Sequence, residues 1–170
     1  PRHGGVRDPV RGHHHRRGRA LGAEIVMRDY VTELQLAEHP EGGYYRQVFK
    51  SEEKVTRGDV ERSALTAIYF FLAASQHSAW HRVTSDEIWV HLDGAPLKLW
   101  VNESAIVLNN TVRMHAVPAG TWQAAEPEGD VLVACFVAPG FEFDDFTMMR
   151  DDPAAREWLE SNAPQLQHLL

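Results

Sequence analysis

A chain of 170 residues is long enough for one domain with a sizeable core, and 44% apolar against 24% charged residues excludes a disordered or fibrous class. Its net charge of −7 is uneven: residues 1–26 carry six arginines against Asp8 and Glu24, a local +4, which leaves −11 for the remainder. That acidic body excludes nucleic acid as the main partner, and no stretch approaches the ~18–20 apolar residues of a membrane span. The single cysteine, Cys135, rules out an internal disulfide and any Cys-x-x-Cys zinc site.

Residues 1–26 are rich in Arg, Gly and His and offer little to bury, so they are expected to form a disordered basic tail ahead of one domain over 27–170. His13-His14-His15 lies in this tail without the scaffold a metal site needs. The basic stretch lacks the apolar centre of a secretory signal, so a cytoplasmic location is expected.

Asp29 can cap a short helix carrying Tyr30, Val31 and Leu34, stopped by Pro40. Gly42-Gly43 then turns the chain into a strand beginning Tyr44-Tyr45-Arg46, and residues 51–62 read as an exposed hairpin or loop. The run Ala64–Leu72 is apolar on both faces and predicts a fully buried strand. Further short strands are predicted at 79–83, 87–92, 97–101, 105–109, 112–116, 121–125 and 131–137, with turns at Asp93-Gly94 and Asn109-Asn110. Such spacing favours a β-sandwich or barrel. Cys135 sits in the last apolar run and reads as a buried strand thiol. Asp152 with Pro153 opens a helix that ends before Pro164.

Two runs carry the chemistry. Trp80–Gly94 holds His81, then Glu87 six residues later and Gly94 seven beyond that, and Val117–Gln123 holds Pro118 and Gly120 ahead of Gln123. Together they resemble the two sequence boxes of a cupin, His-x-His…Glu…Gly and Pro-x-Gly…His, with Val83 and Gln123 standing where two ligand histidines are expected. Five blocks in order, His39–Arg46, Ser78–Val83, Ser85–Trp89, Val117–Ala124 and Val137–Phe146, are similar to the cupin-5 branch in particular. The resemblance implies an all-β, RmlC-like double-stranded β-helix, or jelly-roll barrel, with short flanking helices, related to the dTDP-sugar epimerases, and it implies a dimer. Val90-His91-Leu92 after Trp89 departs from the family pattern.

Strand alternation puts His81 and Val83 on one face and Trp80 and Arg82 on the other, with Glu87, Trp89 and His91 sharing a face of the next strand. The expected function is that of a small-molecule enzyme of isomerase or epimerase type, acting on a sugar, nucleotide-sugar or other carbonyl substrate. His81 would be the base, Glu87 would orient it, and Tyr69 (or Tyr44 or Tyr45) would be the acid. Glu41, Tyr44, Arg46, Trp89, His91, Trp122 and Gln123 are the expected substrate-binding residues, Arg46 as a clamp for an anionic group. Two alternatives use the same pocket. One is a metal-dependent oxygenase or isomerase with His81, Glu87 and Gln123 holding one divalent transition metal (Fe, Mn, Ni or Zn); the other is a non-catalytic, metal-free ligand-binding cupin. The expected partners are a small-molecule ligand and a second copy of the chain.

Overall fold

The computed structural model describes residues 28–170, so the expected tail and its histidines lie outside the described residues. In chain order the regular elements are α1 (Tyr30–Glu33), β1 (Ala37–Glu38), β2 (Tyr44–Lys50), β3 (Lys54–Arg57), β4 (Val60–Ser63), β5 (Thr66–Leu72) and β6 (Ser78–Val83). They continue with β7 (Asp86–Gly94), β8 (Leu97–Val101), β9 (Ser104–Leu108), β10 (Met114–Val117), β11 (Gln123–Pro127), β12 (Val131–Ala138), β13 (Phe146–Met148) and α2 (Pro153–Asn162). Short 3₁₀ turns flank β13 and follow α2.

Two antiparallel sheets face each other. One has the order β1-β2-β5-β12-β7-β10, the other β13-β6-β11-β8-β9, and β3-β4 forms a separate hairpin. Sequential neighbours therefore seldom pair, which is the Greek-key crossing of a jelly roll. The expected all-β architecture is the one found.

Local chemistry sets the ends of the elements. The Asp29 side chain accepts from the Thr32 amide at 3.1 Å, and that of Asp152 accepts from the Ala155 amide at 3.1 Å, so both helices begin on the predicted caps. Gly94 closes the β7 turn at φ +94°, where a Cβ would lie 2.2 Å from the Asp130 carbonyl oxygen. Only glycine fits that approach.

Three apolar clusters follow. The largest lies between the sheets, with Phe70, Trp89, Leu97, Leu99, Leu108 and Val133 all buried. The second lies outside the five-stranded sheet, where α2 and the C-terminal turn bring Leu159, Leu166 and Leu169 onto Trp80, whose indole N–H donates to the Leu166 carbonyl at 3.2 Å. The third packs Tyr30 and Leu36 on Phe71 and Leu132. The first cluster fills only one end of the barrel. The other end stays open and holds the polar groups.

Candidate active site

At the open end is a cavity of about 260 Å³, lined on one side by His39, Glu41, His81, Glu87 and Cys135. Alternation along four strands delivers these walls. Tyr45 and Gln47 of β2, Ile68 and Phe70 of β5, His81 and Val83 of β6, and Cys135 and Val137 of β12 all point inward. The segment before β13 closes the remaining side with Phe141, Phe143 and Phe146.

Glu41 reaches the interior because Gly42 and Gly43 follow it at φ +106° and +70°. A Cβ on Gly42 would lie 2.3 Å from the His77 carbonyl oxygen, and one on Gly43 2.6 Å from that of Phe71. The turn presses against the barrel so closely that no other residue is accommodated. The Ser78 hydroxyl donates to Glu41 Oε1 at 2.8 Å, and Glu41 Oε2 lies 3.4 Å from both His39 Nδ1 and His81 Nε2.

The tautomers follow from the backbone. His81 Nδ1 lies 2.8 Å from the Ala79 carbonyl oxygen, so it carries the proton and leaves Nε2 as an acceptor toward Glu41. His39 Nδ1 accepts the Glu41 amide N–H at 3.3 Å, so its proton is on Nε2. Burial favours neutral groups throughout. It pushes the Glu41 carboxyl up to about 8 and lowers His39 to about 4, the latter reinforced by neighbouring His81. Glu87 rises to about 7, again chiefly through burial, with His81 and the Gln123 amide pulling the other way. His81 is lowered by burial as well.

Glu87 is fixed by a two-step chain. The Trp89 indole N–H donates to Gln123 Oε1 at 2.9 Å, and Gln123 Nε2 donates to Glu87 Oε2 at 2.6 Å. Register explains the meeting: Gln123 is the cross-strand partner of His81, so the second box of the sequence is carried against the first.

Several expected site residues stand elsewhere. Tyr44, Arg46 and Tyr69 are on the outer face of the six-stranded sheet, since Tyr45, Gln47, Ile68 and Phe70 take the inward positions. Tyr69 packs near Phe71 and Leu132 rather than beside His81. Trp122 lies outside the barrel with the Arg82 guanidinium 4.5 Å over its ring. His91 is buried below the cavity with Nε2 2.9 Å from the Ala95 carbonyl oxygen, and Trp89 is core that acts on the site through Gln123. His81, Glu87 and Glu41 are brought together at the cavity. His39, Tyr45 as a wall residue, the Cys135 thiol beside Glu87 and the Phe141–Phe146 wall complete it.

These positions match a known group. The Cupin_5 family of the cupin superfamily (DUF985) matches residues 28–149. The chain belongs to that family. A hypothetical protein from Leishmania major is 28% identical, superposes with a TM-score of 0.70, and is covered over 96% of its length by 82% of this chain. Protein SO0799 from Shewanella oneidensis is 30% identical at a TM-score of 0.66, over 81% of this chain and 94% of its own. Uncharacterized protein YML079W of Saccharomyces cerevisiae is 24% identical over 74% of this chain and 76% of its own.

Cupins commonly hold a metal, and the residues here do not fit one. Val83 offers no donor atom, and both ends of the Gln123 amide are engaged by Trp89 and Glu87. Among the described residues, no group of three or more His, Cys, Asp or Glu side chains is placed to hold a metal ion. Of the expected ligand set, Gln123 is hydrogen-bonded to Glu87, and His81 turns its Nε2 to Glu41. Among the described residues, no helix is long and apolar enough to cross a membrane.

Proposed function

We propose that the cavity is the active site of a proton-transfer enzyme, of isomerase type, acting at the carbon next to a carbonyl in a small molecule. The observation that carries this reading is the placement of two buried carboxyls, Glu41 and Glu87, on either side of His81 with unlike supports. Burial raises both above the ordinary carboxyl, which brings each within reach of proton exchange near neutrality. Their partners assign the roles: the Gln123 amide donates to Glu87 and favours its carboxylate, while Glu41 faces the His81 Nε2 acceptor, which favours its acid.

The Glu87 carboxylate takes the proton from carbon. The electron pair of that C–H bond becomes the C=C bond of an enol, and the carbonyl oxygen receives a proton from Glu41. His81 Nε2, 3.4 Å from Glu41 Oε2, passes protons to and from that carboxyl. Return of a proton to the other face of the same carbon, with loss of the enol O–H proton to Glu41, completes the isomerisation. The general acid-base contribution to such a step is about 10²–10⁴-fold.

Deuterium exchange tests the reading. Small carbonyl compounds are incubated with the protein in D₂O, and loss of the α-proton signal is followed by NMR. Exchange reduced at least ~100-fold by Glu87→Gln is expected. Undiminished exchange in that variant would overturn the assignment. Ligand binding with no exchange across the set would make the protein a non-catalytic binding cupin.

We infer further that two copies associate through the outer face of the six-stranded sheet. Cross-strand rows Ala67-Phe136-Ile88-Ala116 and Tyr69-Ala134-Val90-Met114 make that face apolar, and Met114 on the edge strand is 61% exposed. A second copy would cover both the patch and the edge.

A further inference from the structure

We propose that the substrate of this cavity is an uncharged carbonyl compound with an apolar, ring-shaped body; the proposal rests on the proton-transfer reading and names its substrate class. The lining joins two chemistries. The carboxyls of Glu41 and Glu87 and the imidazoles of His39 and His81 stand among Ile68, Phe70, Val83, Val137 and the three phenylalanines of the closing segment.

Those phenylalanines form a built surface. Phe141 and Phe143 meet edge to face with centroids 5.1 Å apart, Phe143 and Phe146 do so at 6.2 Å, and Phe146 lies 5.3 Å from the His81 ring at a tilt of 31°. Phe143 is 49% exposed in a segment otherwise rich in acids. The segment is anchored at its base, where Asp145 accepts twice from the Arg62 guanidinium, at 2.7 and 3.2 Å. An anchored aromatic wall beside a cavity mouth offers stacking area to a planar or ring-shaped ligand.

Charge then narrows the class. Among the described residues, no Lys or Arg lines the cavity. The cations near its rim are committed: Lys50 to Glu142 at 2.6 Å and Arg62 to Asp145. Arg46 is on the opposite face of the sheet. A phosphate or carboxylate would enter a desolvated chamber with carboxyls and no counter-charge, which is costly. A cation would require the buried carboxyls to ionise against their burial. A neutral ligand meets the protonated Glu41 carboxyl, which donates to its oxygen, and rings that stack on its body. The volume of about 260 Å³ lies below the ~300–1,000 Å³ of clefts for drug-sized ligands, which fits a small ring-sized body inside the barrel.

Three probes of one size and one ring decide it: acetophenone (neutral), benzoate (anionic) and benzylamine (cationic), titrated calorimetrically into the protein at pH 6. Acetophenone is expected to bind at least ~10-fold more tightly than either ion. Its affinity should fall as pH rises from 6 to 9, because Glu41 loses the proton it would donate. Phe143→Ala, on the exposed rim, should weaken it about fivefold without lowering the unfolding temperature. Equal or tighter binding of benzoate or benzylamine overturns the proposal, as does failure of all three to bind at millimolar concentration. Acetophenone also carries exchangeable α-protons. Binding without deuterium uptake would leave the ligand class standing and remove the proton-transfer reading. Deuterium uptake by pyruvate alone would do the reverse.

Discussion

Gln123 donates its amide to Glu87 at 2.6 Å while accepting the Trp89 indole N–H at 2.9 Å, and so occupies the place of a cupin ligand histidine as a support for a carboxyl. Both ends of the amide are used, with Gln123 and Trp89 each 1% exposed. Gln123→Leu would leave a buried indole N–H unpaired and remove a donor that holds Glu87 down. Loss of about 1–3 kcal/mol in urea unfolding is expected. The Glu87 carboxyl, followed by ¹³C NMR, should titrate above its wild-type position near 7. A variant with unchanged stability and titration would show that the chain of hydrogen bonds is idle.

Glu41 sets a pH dependence of opposite sign to the usual carboxylate. Its folded value of about 8 lies above the ordinary 4.5, so between these two the unfolded chain releases a proton that the folded protein keeps. Stability from this group is therefore full below about 4.5 and falls as pH rises toward 8. His39 acts at the other end. Held at about 4 against an ordinary 6.5, it costs stability as pH drops through that window, because the unfolded imidazole takes up the proton. Glu41→Gln removes the first slope only. The variant should match the wild type near pH 5 and exceed it by about 1–3 kcal/mol at pH 8, a shift of one pKa unit corresponding to ~1.4 kcal/mol. Thermal unfolding from pH 4 to 9 measures it, and parallel curves for the two proteins would contradict it.

The Cys135 thiol is buried and pushed well above its ordinary value, by burial first and then by Glu87 and Glu41. The reactive species is the thiolate, so the native protein should react with a disulfide reagent at pH 8 at least ~10-fold more slowly than a free thiol. Unfolding in guanidinium should restore the ordinary rate. Fast native reaction would mean that Cys135 is ionised inside the cavity.

How much of this the sequence disclosed depends on which physical signal carried it. Period-two alternation along β6 assigned His81 and Val83 to one face and Trp80 to the other, and both faces are buried there. Tyr44, Arg46 and Tyr69 were expected at the cavity from their chemistry, and alternation offered no guide to their face. In β2 the pair Tyr44-Tyr45 is aromatic on both faces, and in β5 Phe70 and Phe71 are both buried, so the pattern holds no parity information there. Glu41 was legible through the glycine pair that turns it inward. His39 was not, since it precedes the turn on no regular element facing the barrel and arrives through tertiary packing on Tyr45 and Phe146. The aromatic wall had a signal of its own. Three phenylalanines among Glu142, Asp144 and Asp145 form an apolar set where a loop needs none.

Tyr69 and Arg46, displaced from the cavity, belong to the face on which association is proposed. Ile88 lies across that face between Phe136 of β12 and Ala116 of β10, 37% exposed. Its burial in a dimer would be largely hydrophobic, and a carboxylate there would be buried without a partner in each copy. Light scattering of the wild type at micromolar concentration should give twice the chain mass, and Ile88→Glu should give the single-chain mass with an unchanged β-sheet circular dichroism spectrum. The cavity opens on the other side of the same sheet, so the monomeric variant should retain acetophenone binding. A wild type that scatters as a single chain over the whole concentration range would overturn the association, and a dimer unaffected by Ile88→Glu would move the interface away from this face.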